Sequence, residues 1–166
     1  MKKIYILGTS ASGKTTLAKK LSDKLKIKNY NLDNIFWQKK YTKKRNSTEV
    51  KQKIKKVFKK KQWIIEGVSG YWTSEGVKKS DLIIWLNFSS KILIFRLLKR
   101  FILNKDKQKN ENWKNTFRLI KYIQSYSKGE HIGSKKFHQD RIEKHVKKVI
   151  IIKNNKELQK FLKDLK

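Results

Sequence analysis

The sequence predicts a three-layer α/β fold, in which helices cover both faces of a five-stranded parallel sheet. Two observations lead to this prediction. Five short apolar segments, each typical of a buried strand, alternate along the chain with longer segments of helical periodicity. No internal repeat and no linker interrupts the alternation. Because strands that alternate with helices form parallel sheets, we expect residues 1–166 to fold as one domain of this class.

The strand predictions rest on short runs of apolar residues. The clearest run is Ile4 to Leu7, which ends at Gly8. The run at 63–65 ends at Glu66 and Gly67, and the run at 82–86 directly follows Asp81. Residues 27–32 are a weaker strand because polar side chains interrupt them, and 149–152 form the last strand.

The helix predictions rest on apolar spacing and on capping residues. Asn46 with Glu49, and Asn154 with Glu157, have the spacing of a helix start. The segment 90–103 is apolar nearly all round, which predicts a mostly buried helix. The polar stretch 104–112 is predicted to be a loop. The predicted helices are 15–26, 46–58, 90–103, 113–127, 134–147 and 154–165.

The composition excludes several classes of site. The chain has no cysteine, which excludes a disulfide framework, cysteine-ligated zinc, iron–sulfur clusters and a thiol nucleophile. No segment approaches the ~18 apolar residues of a membrane span, so we expect a soluble, cytoplasmic protein without membrane contact. The net charge of +31 comes mostly from lysines spread along the whole chain. A lysine-covered surface and a nucleic-acid-binding face both explain it, and weak, salt-sensitive binding of polyanions follows from either.

A glycine-rich segment after the first strand carries the strongest chemical signal. Residues 8–15 (GTSASGKT) fit the pattern G-x-x-x-x-G-K-[ST], with a strand before and a helix after. Such a loop directs backbone N–H groups at phosphate oxygens, and the helix start adds its positive dipole end. We expect ATP phosphates on Gly8, Ser10, Ala11, Ser12, Gly13, Lys14, Thr15 and Thr16, with Lys14 on the β/γ-phosphates and the Thr15 hydroxyl on Mg²⁺.

The carboxylates are few enough to consider one by one, since the chain has only 13. Ligands of open α/β sheets bind at the carboxyl ends of the strands. Only Asp33 and Glu66 directly follow predicted strands, whereas Asp81 precedes one and should lie at the opposite edge. Glu66 is therefore the candidate acid near Mg²⁺, acting directly or through water. Asp33 is the candidate to orient or deprotonate an acceptor hydroxyl.

Arginine stands out in a chain whose cations are mostly lysine. Arg96 and Arg100 lie four residues apart and share a face of the apolar helix 90–103, so they need an anionic partner. That partner is either a transferred phosphate or a carboxylate, and we favour the phosphate. Arg118 and Arg141 are weaker candidates for the same role.

Two further features, an aromatic pair and a set of histidines, are less specific. Tyr71 and Trp72, after Glu66, could stack on a base or pack under a loop. The histidines 131, 138 and 145 recur every seven residues. Two helical turns separate neighbouring histidines by roughly 10 Å, which is too far for one metal ion. We therefore expect these histidines on a solvated face.

Several blocks of the sequence together resemble the adenylate-kinase-like P-loop kinases and, more narrowly, bacterial FlaR-type DNA topology modulation proteins. These blocks are KKIYILGTSASGKTTLAKKL, NLDNIFW, QWIIEGVSGYW, SDLIIWLNF, FRLLKR and VIIIKNNKELQKFL. The resemblance implies a P-loop NTPase sandwich with strand order 2-3-1-4-5. It also implies a nucleotide on residues 8–16, Glu66 as the acid before glycine, Arg96 and Arg100 entering the lid, and a short lid near 101–117.

Three functions compete for this pattern. The favoured one is an ATP–Mg²⁺-dependent phosphotransferase with an unidentified small acceptor, using Lys14, Asp33, Glu66, Arg96 and Arg100. The alternative is a nucleotide-binding regulatory NTPase that interacts with nucleic acid. A GTPase switch is disfavoured because the nearest match to N-K-x-D, residues 155–158, ends in Leu158.

Overall fold

Apart from four short elements, the strands and helices follow one another in the order that the sequence predicts. A computed structural model describes residues 2–39, 42–68, 73–103, 113–129, 133–143 and 148–164. In chain order its elements are β1 (Lys3–Gly8), α1 (Lys14–Leu25), β2 (Asn29–Asn31), α2 (Leu32–Phe36), β3 (Trp37–Lys39), β4 (Lys43–Lys44), α3 (Ser47–Phe58), β5 (Trp63–Glu66), α4 (Ser74–Lys79), β6 (Leu82–Leu86), α5 (Ser90–Ile102), α6 (Trp113–Lys128), α7 (Lys135–Glu143), β7 (Val149–Ile152) and α8 (Asn155–Asp164).

The central sheet has five parallel strands in the order β2-β5-β1-β6-β7. Counting only these five strands along the chain, this is the order 2-3-1-4-5, and the prediction is confirmed. Ile4 of β1 pairs with Ile64 of β5 on one side and with Leu82 of β6 on the other. The carboxyl ends of β1, β2 and β5 are therefore neighbours, which is where an open sheet binds ligands.

Each face of the sheet has its own hydrophobic core because strand side chains alternate in direction. On one face Ile4, Ile6 and Ile64 pack with apolar residues of α1, α5, α6 and α8. On the other face Tyr5, Leu7 and Ile65 pack with residues of α3, α4 and α7. The two cores make the predicted three-layer sandwich.

Helix α5 departs from its prediction. The sequence predicts a mostly buried helix, yet only Leu93 and Leu97 are buried, while Phe95 is 65% exposed and Ile102 is 76% exposed. One side of α5 covers the sheet and α6 packs beside it, so the apolar residues on its outer side remain in contact with solvent. The prediction is wrong for that side of the helix.

Four short elements are absent from the sequence prediction. These are α2, α4 and the antiparallel pair β3–β4. None of them is long enough to show a helical or strand period, since α2 has five residues and β4 has two. The predicted second strand is shorter than expected because Leu32 begins α2, with Asn31 as its N-cap.

Asp81 lies at the edge of the sheet opposite the phosphate loop, as predicted. Its Oδ2 accepts hydrogen bonds from the backbone N–H groups of Lys2 (2.6 Å) and Lys3 (3.0 Å) at the start of β1. These bonds are the main reason why the pKa of Asp81 is lowered from its ordinary value. Asp81 therefore has a structural role that ties two strands together.

Some predictions fall outside the described residues. These are the loop 104–112 with the centre of the predicted lid, Tyr71 and Trp72, His131 and His145, and the end of the predicted helix 134–147. In the part of the chain that the structure describes, no helix is long and apolar enough to cross a membrane.

Candidate active site

The segment after β1 has the geometry of a phosphate-binding loop. Gly8 and Gly13 have φ angles of +151° and +92°, in the region that favours glycine. A Cβ on Gly8 would lie 2.7 Å from Ser12 Oγ and 3.0 Å from the Leu86 carbonyl oxygen, so a side chain there has no room. The buried Ser12 hydroxyl donates to the Thr9 carbonyl oxygen at 2.8 Å and closes the loop from inside. The loop leads directly into α1, whose first residue is Lys14.

Lys14 folds over the loop that precedes it. Its Nζ donates to the Thr9 carbonyl oxygen at 2.7 Å. Burial of the ammonium lowers the pKa of Lys14, and the nearby carboxylates of Glu66 and Asp33 act in the opposite direction. The Lys14 ammonium therefore lies close enough to Glu66 and Asp33 for both charges to affect its pKa.

Glu66 lies at the end of β5 and is almost completely buried, with 3% of its surface exposed. Its Oε1 accepts a hydrogen bond from the Thr15 hydroxyl at 2.8 Å and another from the Asn31 side-chain amide. Because the Thr15 proton points at Glu66, the lone pairs of the Thr15 oxygen face away from the carboxylate. The structure therefore brings together the two residues that the sequence predicts near Mg²⁺.

A cleft of about 310 Å³ opens beside the loop and contains Asp33. Asp33 belongs to the first turn of α2. Across the cleft, α6 contributes Arg118 and Tyr122. Burial and the Asp33 charge together raise the pKa of Tyr122 to about 12, so its hydroxyl stays protonated at neutral pH. The full lining is Ser10, Lys14, Asp33, Trp37, Gly67, Val68, Arg118, Leu119 and Tyr122.

Arg96 lies on the outer side of the phosphate loop. Its guanidinium donates to the carbonyl oxygens of Ser12 (3.2 Å) and Ala11 (3.5 Å), and also to the side chain of Asn155 at the start of α8. The same group lies 4.0 Å from the centre of the Phe88 ring. Arg100, one turn further along α5, is half-buried and does not line the cleft.

Sequence reasoning missed or underrated four residues of this region. No motif in the sequence points to Asn31, although it ends a strand at the same edge as Glu66. Trp37 belongs to an element too short to predict. Arg118 and Tyr122 are four residues apart on an amphipathic segment, so their shared face could be inferred, but not the element that this face meets.

The predicted position of the histidines is wrong for His138, which is fully buried in α7. Its Nδ1 lies 3.0 Å from the Tyr126 hydroxyl, which also accepts a hydrogen bond from Trp85 Nε1 at 3.2 Å. This contact joins α7, α6 and β6 inside the protein. Among the described residues, no three His, Asp or Glu side chains are grouped to hold a metal ion.

A comparison with protein families identifies the family of this chain. The model of the AAA domain family matches residues 4–115, which is more than half of the sequence and includes the phosphate loop and Glu66. The chain belongs to the AAA domain family. Over 100 residues this AAA domain protein is 33% identical to the uncharacterized protein YqaC of Bacillus subtilis (strain 168). That alignment covers 60% of this chain and 56% of YqaC, so the chain spans little more than half of this curated relative.

Two solved structures share the fold of this AAA domain protein. Shikimate kinase from Acinetobacter baumannii, solved in complex with shikimate, has a TM-score of 0.56 at 16% identity and covers 100% of this chain and 96% of that one. Shikimate kinase from Bacteroides thetaiotaomicron has a TM-score of 0.53 at 16% identity, covering 99% and 95%. Similarity at this level shows a shared fold and does not identify a substrate of this chain.

Proposed function

We propose that this protein is an ATP–Mg²⁺-dependent phosphotransferase that acts on a small acceptor bearing a hydroxyl group. One observation carries the proposal: Lys14 of the phosphate loop and Asp33 line the same cleft. A group that binds the phosphate donor and a group that can accept a hydroxyl proton therefore meet in one space. The fold that this chain shares with two shikimate kinases supports a kinase of this size. We do not infer from that fold that shikimate is the acceptor.

The nucleotide phosphates would lie on the loop N–H groups, with Lys14 supplying a full positive charge. The oxygens of Thr15 and Glu66 suit Mg²⁺, which prefers hard oxygen ligands. Their contact leaves the Thr15 lone pairs available for the ion, so these residues fit the metal. When bound, Mg²⁺ neutralises charge on the phosphates.

The acceptor would occupy the cleft between α2 and α6. Asp33 would accept the proton of the acceptor hydroxyl, whose oxygen forms a bond to the γ-phosphorus as the bond to the leaving ADP oxygen breaks. Arg118 carries a positive charge to the same cleft and the Tyr122 hydroxyl can donate a hydrogen bond. An acceptor with a hydroxyl at one end and an anionic group at the other fits this lining best.

A phosphate-transfer screen tests the proposal. The chain is incubated with ATP and Mg²⁺ against nucleosides, nucleotides and small hydroxy acids, and phosphorylated products are detected. Asp33→Asn should lower the transfer rate by about a hundredfold because the proton acceptor is lost. The matched control is Asp23→Asn, the same change at an exposed position of α1. If Asp33→Asn transfers phosphate as fast as the wild type, Asp33 does not have this role.

The nucleic-acid alternative has weaker support, since it rests on the net charge of +31 and not on a built site. The narrower resemblance to FlaR-type proteins, the lid near 101–117 and the phosphate contacts of Arg96 and Arg100 stay predictions. The same screen, repeated with DNA, tests whether DNA raises the rate of ATP turnover.

A further inference from the structure

Asn31 lies between the nucleotide side and the acceptor side of the site. It is the last residue of β2, and its register partner on the neighbouring strand is Glu66. Residues paired in this way on neighbouring strands project toward the same face of the sheet, which brings the two side chains together. The Asn31 side chain is half-buried at this position.

Both ends of the Asn31 amide are used. The Nδ2 group donates to Glu66 Oε1, the same oxygen that accepts from Thr15. The Oδ1 atom accepts from the backbone N–H of Asn34 at 3.2 Å, which makes Asn31 the N-cap of α2. The carboxylate requires a donor and the N–H group requires an acceptor, so the two partners fix the orientation of the amide.

The chemistry of the position favours asparagine over other capping residues. Aspartate can cap α2, but it would place a second negative charge against Glu66. Serine can also cap the helix, but its side chain is too short to cap α2 and donate to Glu66 together. Leucine has a similar volume and makes neither bond. Asparagine alone among these four makes both contacts with one neutral group.

We propose that Asn31 is a positioning residue that couples the two halves of the active site. One end holds Glu66 against Thr15, where Mg²⁺ would bind, and the other end holds the first turn of α2, which carries Asp33. The inference rests on the proposed function. It extends that function by identifying Asn31 as the side chain that fixes the position of Glu66 relative to α2.

Two variants separate the two ends of the amide. Asn31→Ser keeps a cap on α2 and loses the donor to Glu66, whereas Asn31→Leu loses both contacts. The matched control is Asn46→Ser. Asn46 caps α3 in the same way, with its Oδ1 accepting from the Glu49 N–H at 2.7 Å, but it has no contact with Glu66.

The first measurement is the affinity for ADP with Mg²⁺ and with EDTA in its place. In the wild type Mg²⁺ should strengthen binding. In both Asn31 variants this strengthening should fall by about tenfold, the usual effect of losing one hydrogen bond to a charged group. Affinity in EDTA should stay within about twofold of the wild type, because the phosphate loop is unchanged.

The second measurement is amide hydrogen exchange over 32–37 in the protein without nucleotide or metal. Asn31→Leu should accelerate exchange in this segment by about tenfold, while Asn31→Ser should leave it near the wild-type rate because a cap remains. Asn46→Ser should change neither measurement in this region.

The outcomes distinguish failure of the Asn31 role from failure of the proposed function. A wild type that binds no nucleotide overturns both. A wild type whose ADP binding depends on Mg²⁺, together with an Asn31→Ser variant that has the same dependence, overturns the coupling role alone. Exchange over 32–37 that is as slow in Asn31→Leu as in the wild type also contradicts it.

Discussion

Among single residues, Lys14 is the group on which we expect nucleotide binding to depend most. Its ammonium lies 2.7 Å from the Thr9 carbonyl oxygen, within the loop that would hold the phosphates. Lys14→Ala should lower ADP affinity by about tenfold or more, because a charge-assisted contact to phosphate is lost. Isothermal titration measures the effect, and circular dichroism checks that the variant is folded.

The control for this change is Lys19→Ala, which removes the same charge from an exposed position of the same helix. Its ADP affinity should stay close to that of the wild type. If a folded Lys14→Ala variant binds ADP as the wild type does, the assignment of residues 8–16 as a phosphate loop is wrong.

A substitution at Glu66 separates Mg²⁺-dependent turnover from nucleotide binding without metal. Glu66→Gln keeps the shape of the side chain and removes the charge that we propose supports Mg²⁺. Turnover should fall by about a hundredfold, while ADP binding in EDTA survives. Steady-state kinetics over a range of Mg²⁺ concentrations tests this. The control Glu75→Gln changes an exposed carboxylate that pairs with Lys79, and full activity in Glu66→Gln would reject the metal role.

At the scale of elements, the wall of the acceptor cleft depends on a five-residue helix. A helix as short as α2 cannot satisfy its own last carbonyl groups. Arg45 does so from outside, donating to the carbonyl oxygens of Asn34 (2.8 Å), Ile35 (3.2 Å) and Trp37. Glu49 holds the guanidinium in place at 2.8 Å.

Arg45→Lys keeps the charge and loses the planar fork that reaches several acceptors. Amide exchange over 34–37 should accelerate by about tenfold, since the carbonyl groups lose partners. Arg141→Lys makes the same change on α7, where the guanidinium lies over the Phe137 ring, and should leave exchange over 34–37 unchanged. Equal exchange rates in Arg45→Lys and the wild type would show that α2 holds its shape without Arg45.

The elements also show what the sequence can predict. Uninterrupted apolar runs such as Ile4 to Leu7 and a full phosphate-loop motif are local signals, so the sheet and residues 8–15 follow from them. Burial of His138 depends on which helix covers it, and a seven-residue spacing cannot show that. The exposed side of α5 has the same limit, because apolar character alone does not say which side meets the sheet.

The candidate site shows the same difference between local sequence signals and tertiary contacts. Glu66 could be predicted near Thr15, since Glu66 ends β5 and Thr15 follows the loop at the carboxyl end of the neighbouring strand β1. The contact of Asn31 with Glu66 depends on the register between β2 and β5, and the presence of Arg118 and Asp33 in one cleft depends on where α6 packs. Both are tertiary facts that no spacing in one sequence contains.

At the scale of the whole molecule, the net charge of +31 competes with the site as an explanation of function. Arg96→Lys separates them because it keeps the charge. Lysine cannot reproduce the contacts of Arg96 with Ser12, Ala11 and Asn155, so turnover should drop by about tenfold. DNA binding should be weak, should fall as salt is raised, and should be the same in both proteins.

Steady-state kinetics and a salt-dependent DNA titration measure these two effects side by side. Lys121→Arg, at an exposed position of α6, is a charge-preserving control for both. A selective loss of DNA binding in Arg96→Lys, with turnover intact, would favour the nucleic-acid alternative.

The fate of the γ-phosphoryl group of ATP distinguishes the proposed phosphotransferase from an NTPase that DNA stimulates. Phosphorus NMR can follow ATP and Mg²⁺ with the wild-type chain and a pool of small hydroxy acids and nucleotides, with and without DNA. We expect equal amounts of ADP and a new phosphorylated acceptor, independent of DNA and lost in Lys14→Ala. Release of inorganic phosphate alone, at a rate that DNA raises and the acceptor pool does not, would contradict it.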